Sequence, residues 1–367
     1  MYTNDPRTVI TLDAGGTNFV FGAIRGNRDI VAPLTLPSCS SDLDRCMEAL
    51  VTGFSRIIEQ LDERPAAISF AFPGPADYPN GIIGGYLPNF PSFRDGVALG
   101  PFLEERFGLP VFINNDGDLY AYGEALAGAL PDVNERLRKA GSAKQFRNLI
   151  GYTLGTGFGM GMVIDERLNT GDNSCVETWC LPHKKMRDII VEDGTAIRAI
   201  NRVYGELSCD TGHAFEPKDI YDIAKGTKPG DREAARRSFA EMGEIVGDTI
   251  ASAVTMIDGL VVIGGGLAAA SEFFMPALLA EMRSKMHTLS GDTIDRVQMK
   301  TYNLDDEAEF AAFARGESRE LKVYGSDKTV IYDPQKRVGV TVSKIGASRA
   351  ISLGAYAYAL AKIDEER

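Results

Sequence analysis

Near the start of the chain, Val9-Ile10 leads into Thr11-Leu12-Asp13-Ala14-Gly15-Gly16-Thr17-Asn18 and out again into Phe19-Val20-Phe21-Gly22-Ala23-Ile24. An apolar run, a short glycine turn and a second apolar run predict two strands joined tightly. Adjacent glycines let the backbone take positive φ and let a bulky anion approach main-chain N–H groups. Asp13 ends the first strand and offers a carboxylate to the turn, while Thr17 and Asn18 add a hydroxyl and an amide. A carboxylate beside a phosphate cradle makes sense when a cation sits between them, and Mg2+ is the usual one. The same residues also make an ordinary hairpin turn, so both readings stand at this point.

The pattern recurs. Leu149 to Leu154 is apolar, Gly155-Thr156-Gly157-Phe158-Gly159 turns, and Met160 to Ile164 is apolar again. Later, residues 231–257 carry Phe239, Met242, Ile245, Val246, Ile250, Val254 and Ile257 on one helical stripe. The apolar strand Leu260-Val261-Val262-Ile263 follows, stopped by Gly264-Gly265-Gly266. Glycines at a strand's carboxyl end stand where open α/β sheets bind ligands. Two Gly/Thr hairpins in separate halves suggest a duplicated domain closing on one ligand from both sides.

The remaining pattern alternates strands and helices, which predicts an α/β fold with a mixed or parallel sheet. Helices are expected over 41–61 (capped by Ser41 or Asp42), 97–107, 119–130, 272–286 and 346–360, the last rich in alanine and suited to close packing. Buried strands are expected at 66–72 and 111–113, a third strand of the first sheet at Ile30-Val31, and hairpins at Asn80-Gly81 and within 322–332. Residues 131–147 read as polar surface. The 367 residues suggest two domains. A net charge of −12 argues against a broad nucleic-acid or anionic-membrane surface. With five scattered cysteines, no signal-peptide pattern and no membrane-spanning run, a soluble cytoplasmic protein with reduced thiols is expected.

Taken together, the turns at 13–18, 155–159 and 264–266 resemble the nucleotide-binding set of the sugar kinase/Hsp70/actin superfamily. Four further segments are similar to those of the ROK family of bacterial sugar kinases, repressors and related proteins. They are Phe72-Pro73-Gly74-Pro75-Ala76-Asp77, Leu87-Pro88-Asn89-Phe90, Asn114-Asn115-Asp116-Gly117-Asp118 with Gly123-Glu124-Ala125, and Met256-Ile257-Asp258 through Gly266. The resemblance implies a two-domain actin-like ATPase (ribonuclease H-like) fold with a nucleotide cleft between the domains. It implies a small domain over 1–118 joined by the C-terminal helix 348–367, and a large domain over 119–347. It implies ATP-dependent phosphorylation of a glucose-like hexose, with an N-acetylhexosamine or a ketose as the alternative acceptor.

Phosphorylating a sugar hydroxyl needs a base, a held γ-phosphate and a metal. Asp116, past a strand end, is the candidate base, and its rival reading is a helix cap, although Gly117 or Asp118 stands nearer the cap position. By the resemblance, Asn89, Asn115 and Glu177 bind sugar hydroxyls. Asp13 holds Mg2+ through water, with Gly15, Gly16, Thr17 and Asn18 around the phosphates. Gly155, Thr156 and Gly157 meet the γ-phosphate, and Gly265 and Gly266 line the adenosine pocket. Asn89 also reads as a turn residue, and Gly265-Gly266 as a helix-packing device.

The middle of the chain departs from the family. Where a GEIGH segment and a CxCGxxGC zinc loop are expected, residues 169–180 read Asn-Thr-Gly-Asp-Asn-Ser-Cys-Val-Glu-Thr-Trp-Cys. Cys175, Cys180, His183, Cys209 and His213 match no compact zinc spacing, so a structural zinc is not expected; buried thiols and surface histidines are. Trp179 stacks on a sugar or simply packs, and Asp188 and Glu192 lie near where a last sugar-binding glutamate falls. A non-catalytic sugar sensor and a chaperone or actin-like ATPase are the rival classes. Only a dozen residues precede Asp13, which leaves no room for the DNA-binding helices of family repressors and predicts no nucleic-acid partner. No membrane partner is expected, and a homodimer stays open.

Overall fold

The computed structural model describes residues 2–209 and 215–365, which form two compact units. The first comprises Met1–Gly128, Gly161–Val176 and Ile345–Arg367, the second Ala129–Met160 and Glu177–Lys344. The helix over 116–127 therefore groups with the first unit, beyond the boundary at 118 read from the sequence.

In the first unit the opening strands Thr8–Ala14 and Asn18–Arg25 pair antiparallel across the Gly15-Gly16 turn. Ala67–Ala71 and Val111–Asn114 extend the sheet in parallel, with Asp13 opposite Ala71 and Ala71 opposite Asn114. The third strand expected at Ile30-Val31 is instead Arg28–Asp29, and Leu34–Pro37 also pairs with Asn18–Arg25. On one face the helix Leu43–Ile58, capped by the Asp42 carboxylate on the Arg45 N–H, packs Cys46, Leu50, Phe54 and Ile57 into an aromatic core. The opposite face carries the helix Ala347–Glu365 through Leu353, Tyr356, Ala359 and Leu360.

That C-terminal helix crosses the helix Asp116–Ala127 at Gly123 and Gly354. A Cβ on either glycine would fall inside the other helix's backbone, so only glycine permits this approach. The strand pair Ala76–Asp77 and Ile82–Ile83 turns through Tyr78–Asn80 and Gly81, the last in the left-handed region.

The second unit is built on parallel strands in the order Leu149–Leu154, Leu260–Gly264, Arg337–Val342, Lys300–Asn303. The start of Phe158–Ile164 flanks Leu149–Leu154. The 26-residue helix Arg232–Ile257 presses Gly243 and Gly247 onto the backbone of Ser271–Met282.

Two expectations change in this unit. Residues 129–139 are a helix rather than featureless surface, because Leu130, Val133 and Leu137 recur at helical spacing and are buried. The helix expected to reach 286 stops at Met282: Arg283 donates to the Thr301 carbonyl at 3.0 and 3.1 Å, and Met286 pairs with Ile294 in a hairpin. The other hairpin pairs Arg319–Lys322 with Thr329–Tyr332. Among the described residues no helix is long and apolar enough to cross a membrane.

Candidate functional site

Parallel pairing of three strands in the first unit brings their carboxyl ends to one edge. Asp13, the Phe72-Pro73-Gly74 loop and Asn115-Asp116 follow directly from those ends, so segments far apart in sequence meet there. Gly16 lies against Asn89: a Cβ at Gly16 would stand 3.1 Å from the Asn89 Cβ. Asn89 itself is exposed, held out between buried Leu87 and Phe90, and the Phe90 ring packs on Phe72 with centroids 4.6 Å apart. An aromatic core under the loop thus fixes where Asn89 stands.

The Gly15–Asn18 turn closes with the Gly15 N–H on the Asn18 carbonyl at 3.0 Å. Two hydroxyls hold it from below: Ser38 and Ser40 donate to the Gly16 carbonyl at 2.6 and 2.9 Å. Asp13, Thr17 and Asn18 are exposed at this edge. The donor set is carboxylate, hydroxyl and amide, all hard oxygen, which fits Mg2+ in character.

Asn115 is the cap of the helix Asp116–Ala127, its Oδ1 accepting the Gly117 N–H at 2.7 Å. Asp116 is therefore the first helical residue rather than the cap, and neither Gly117 nor Asp118 is the cap. The Asp116 Oδ1 also accepts from the Gly117 N–H, at 2.9 Å. Asp116 has side-chain surface open to solvent, yet protein crowds its carboxyl. Lost hydration raises its pKa, hydrogen bonds from Gly117 and its own amide pull it back, and the Asp13 charge raises it further. Asp118, read from the sequence only as a possible cap, is buried, and its pKa is pushed up to about 7 by burial and then by Asp116.

In the second unit Thr153 lies opposite Gly264, so the turns at 155–157 and 264–266 share the carboxyl edge of that sheet. Gly265 has φ +88°, and a Cβ there would collide with the Leu154 carbonyl. Gly155 and Gly266 face open space, and Thr156 is exposed. Three backbone groups of the Gly155–Phe158 turn are bound from one segment: Ile197 N–H to the Gly155 carbonyl, Arg198 to the Thr156 carbonyl, and Phe158 N–H to Glu192. Glu177 is half-buried, with Oε2 accepting the Met160 N–H at 3.1 Å.

The thiols and histidines reverse the expectation. Cys175, Cys180 and Cys209 are exposed, whereas His183 is fully buried. His183 is drawn inward because its Nδ1 accepts two backbone N–H groups, from Lys185 and Met186, each at 3.1 Å. Burial lowers its pKa. His213 lies outside the described residues. Among the described residues, no three His, Cys, Asp or Glu side chains gather where they could share a metal. Trp179 is 43% exposed and not part of the core, and Asp188 is exposed.

The ROK family pattern matches residues 9–308. A glucokinase from Thermotoga maritima is 26% identical over 74% of this chain and 85% of its own length. An N-acetyl-D-glucosamine kinase from Aliivibrio salmonicida is 27% identical over 78% of this chain and 92% of its own. The crystal structure of a glucokinase from Parabacteroides distasonis superposes with a TM-score of 0.90 at 58% identity, covering 98% of this chain and 99% of that one. The architecture is accordingly the two-domain actin-like ATPase fold. The chain belongs to the ROK family, and with glucokinase and N-acetylglucosamine kinase relatives it is a phosphotransferase of the sugar-kinase class.

Proposed function

We propose that this protein transfers the γ-phosphate of ATP to a hydroxyl of a glucose-like hexose, with Asp116 as the general base. The observation that carries the reading is the strand register that aligns Asp13 with Asn114, leaving Asp13 and Asp116 at one edge within electrostatic reach. A raised pKa suits a base that must take a hydroxyl proton near neutrality. Asn89, on its rigid loop, and the Nδ2 donors of Asn115 hydrogen-bond the sugar and orient its hydroxyl toward Asp116. Glu177, whose Oε2 accepts the Met160 N–H, is the further residue read as a sugar ligand.

Gly15, Gly16, Thr17 and Asn18 in one unit, and Gly155, Thr156 and Gly157 in the other, supply close backbone approach and hydroxyls for phosphate oxygens. Gly266, which faces open space, leaves room for the nucleoside, and Gly265 borders it while packing on the Leu154 backbone. Asp13 would hold Mg2+ through water, and the metal would supply charge neutralisation for the phosphates.

N-acetylhexosamine is the second acceptor class, favoured by the N-acetylglucosamine kinase relatives. The reading puts the protein to work as a single soluble enzyme of the cytoplasm without nucleic-acid or membrane partners, as a monomer or a homodimer. The test is ATP-to-ADP turnover with Mg2+ across glucose, mannose, fructose and their amino and N-acetyl forms. Stimulation by glucose above the others is the expected result. Preference for an N-acetyl sugar selects the second class, and calorimetric sugar binding without turnover replaces the kinase by a sensor.

A further inference from the structure

The sequence reading left Glu192 among candidate sugar ligands, but its carboxylate is committed elsewhere. Its Oε2 accepts the Phe158 N–H at 2.9 Å, and its Oε1 accepts from an Arg198 Nη2 at 2.8 Å. Arg198 is held again by Asp193 through Nε, and its Nη1 donates to the Thr156 carbonyl at 3.4 Å. The neighbouring Ile197 N–H donates to the Gly155 carbonyl at 2.9 Å. Gly157 makes room for the arrangement, since a Cβ there would stand 3.1 Å from the Glu192 Oε2. One short segment, 192–198, therefore grips the turn at Gly155, Thr156 and Phe158. The Arg198 side chain stays 47% exposed beside Thr156, with its charge shared by the Glu192 and Asp193 carboxylates.

We propose that Glu192 and Arg198 are positioning residues that clamp the Gly155–Phe158 turn in the shape that receives the nucleotide's phosphates, and so set nucleotide affinity rather than sugar affinity. This rests on the kinase reading for the identity of the ligand. Glu192 fixes the turn's amide, and Arg198 fixes its carbonyl while bonding Glu192 and Asp193. Isolated surface ion pairs contribute little. Here the pair is joined to backbone groups on both partners, which adds geometric constraint that a free pair lacks.

The experiment compares wild type with Glu192→Ala, Arg198→Ala, Glu192→Gln and Arg198→Lys. Calorimetric binding of Mg-ATP without sugar is measured beside steady-state KM for ATP and for the sugar, with thermal melts to follow folding. Both alanine variants are expected to raise the Kd and KM for ATP about tenfold, leave the sugar KM within about twofold, and keep a cooperative melt. Lysine at 198 restores part of the loss because it keeps the charge but not the fork.

Folded alanine variants with unchanged ATP affinity overturn the clamp, and a rise in sugar KM alone returns Glu192 to the sugar site. Should the alanine variants fail to fold, the glutamine and lysine variants decide, a rise of about threefold in ATP Kd supporting the clamp and no change overturning it. Wild-type protein that binds ATP but turns over no sugar defeats the kinase reading and leaves the clamp testable by binding. Wild-type protein that binds no nucleotide overturns both.

Discussion

The two glycine turns have the same outline and are held in different ways. The turn after Thr8–Ala14 hangs from two neutral hydroxyls, Ser38 and Ser40, on one carbonyl, and its surroundings are acidic: Asp13, Asp116 and Asp118 lie in the same unit. The turn after Leu149–Leu154 is gripped by a charged network in which Arg198 is paired with both Glu192 and Asp193. A strand–turn–strand outline is thus cheap to repeat, whereas charge and anchoring decide what each copy can do. The acidic copy is suited to a metal and to proton abstraction, the rigidly anchored copy to presenting its backbone and Thr156 to phosphate.

The contrast breaks first at Asp116. If the acidic unit holds the base, Asp116→Asn lowers kcat about 10²–10⁴-fold, the usual range for a positioned base. Sugar binding by calorimetry should persist, because the amide keeps the side chain's shape. In the wild type, kcat/KM should rise with pH as Asp116 loses its proton, with a midpoint above the ordinary carboxylate value, since desolvation and then Asp13 hold it up. A variant that keeps its kcat would remove proton abstraction from this edge.

The outline of both turns is legible in the sequence, and the reasons are local. Apolar runs stopped by glycines marked both hairpins and the 264–266 cluster, because a turn of this kind needs its special residues within the turn itself. The helix Leu43–Ile58 was readable from spacing and its cap narrowed to Ser41 or Asp42, of which Asp42 makes the bond. What escaped depends on distant partners. Ser38, Ser40 and Arg198 act on turns that lie 22, 24 and 42 residues away, and nothing in their own neighbourhoods announces it. The His183 ring lies against Gly194, whose missing side chain leaves the space for it, a contact that the residues next to His183 do not announce. Exposed thiols at Cys175 and Cys180 ran against their residue type because the segment around them is itself largely exposed.

Asp118 sharpens the comparison through stability. Its folded-state pKa of about 7 lies above the ordinary 3.8, so between about pH 4 and 7 the unfolded chain gives up a proton that the folded chain keeps. Folding stability therefore falls as pH rises through that window and levels off above it. Asp118→Asn removes the penalty and should stabilise the protein at pH 8 by on the order of 1–3 kcal/mol, with the gain fading toward pH 4. Urea denaturation of both proteins at the two pH values measures it. Equal differences at both would mean that Asp118 ionises as freely in the fold as out of it.

The smallest effect belongs to the neutral anchor. Ser38 is fully buried and donates to the Gly16 carbonyl, but Ser40 donates to the same oxygen. Ser38→Ala therefore leaves no orphaned acceptor on the turn, and the cost should stay near about 1 kcal/mol, that of one ordinary hydrogen bond. Because both partners are uncharged, the loss should be the same at low and high salt. The loss in Glu192→Ala should instead shrink as salt screens the exposed guanidinium in the wild type. Nucleotide affinity of the two variants, measured from about 0.05 to 0.5 M salt, separates a turn hung on hydroxyls from one gripped by charge. Parallel salt dependence in both would show that the anchoring difference has no functional weight, and Asp13 and Asp116 beside the first turn would carry the contrast alone.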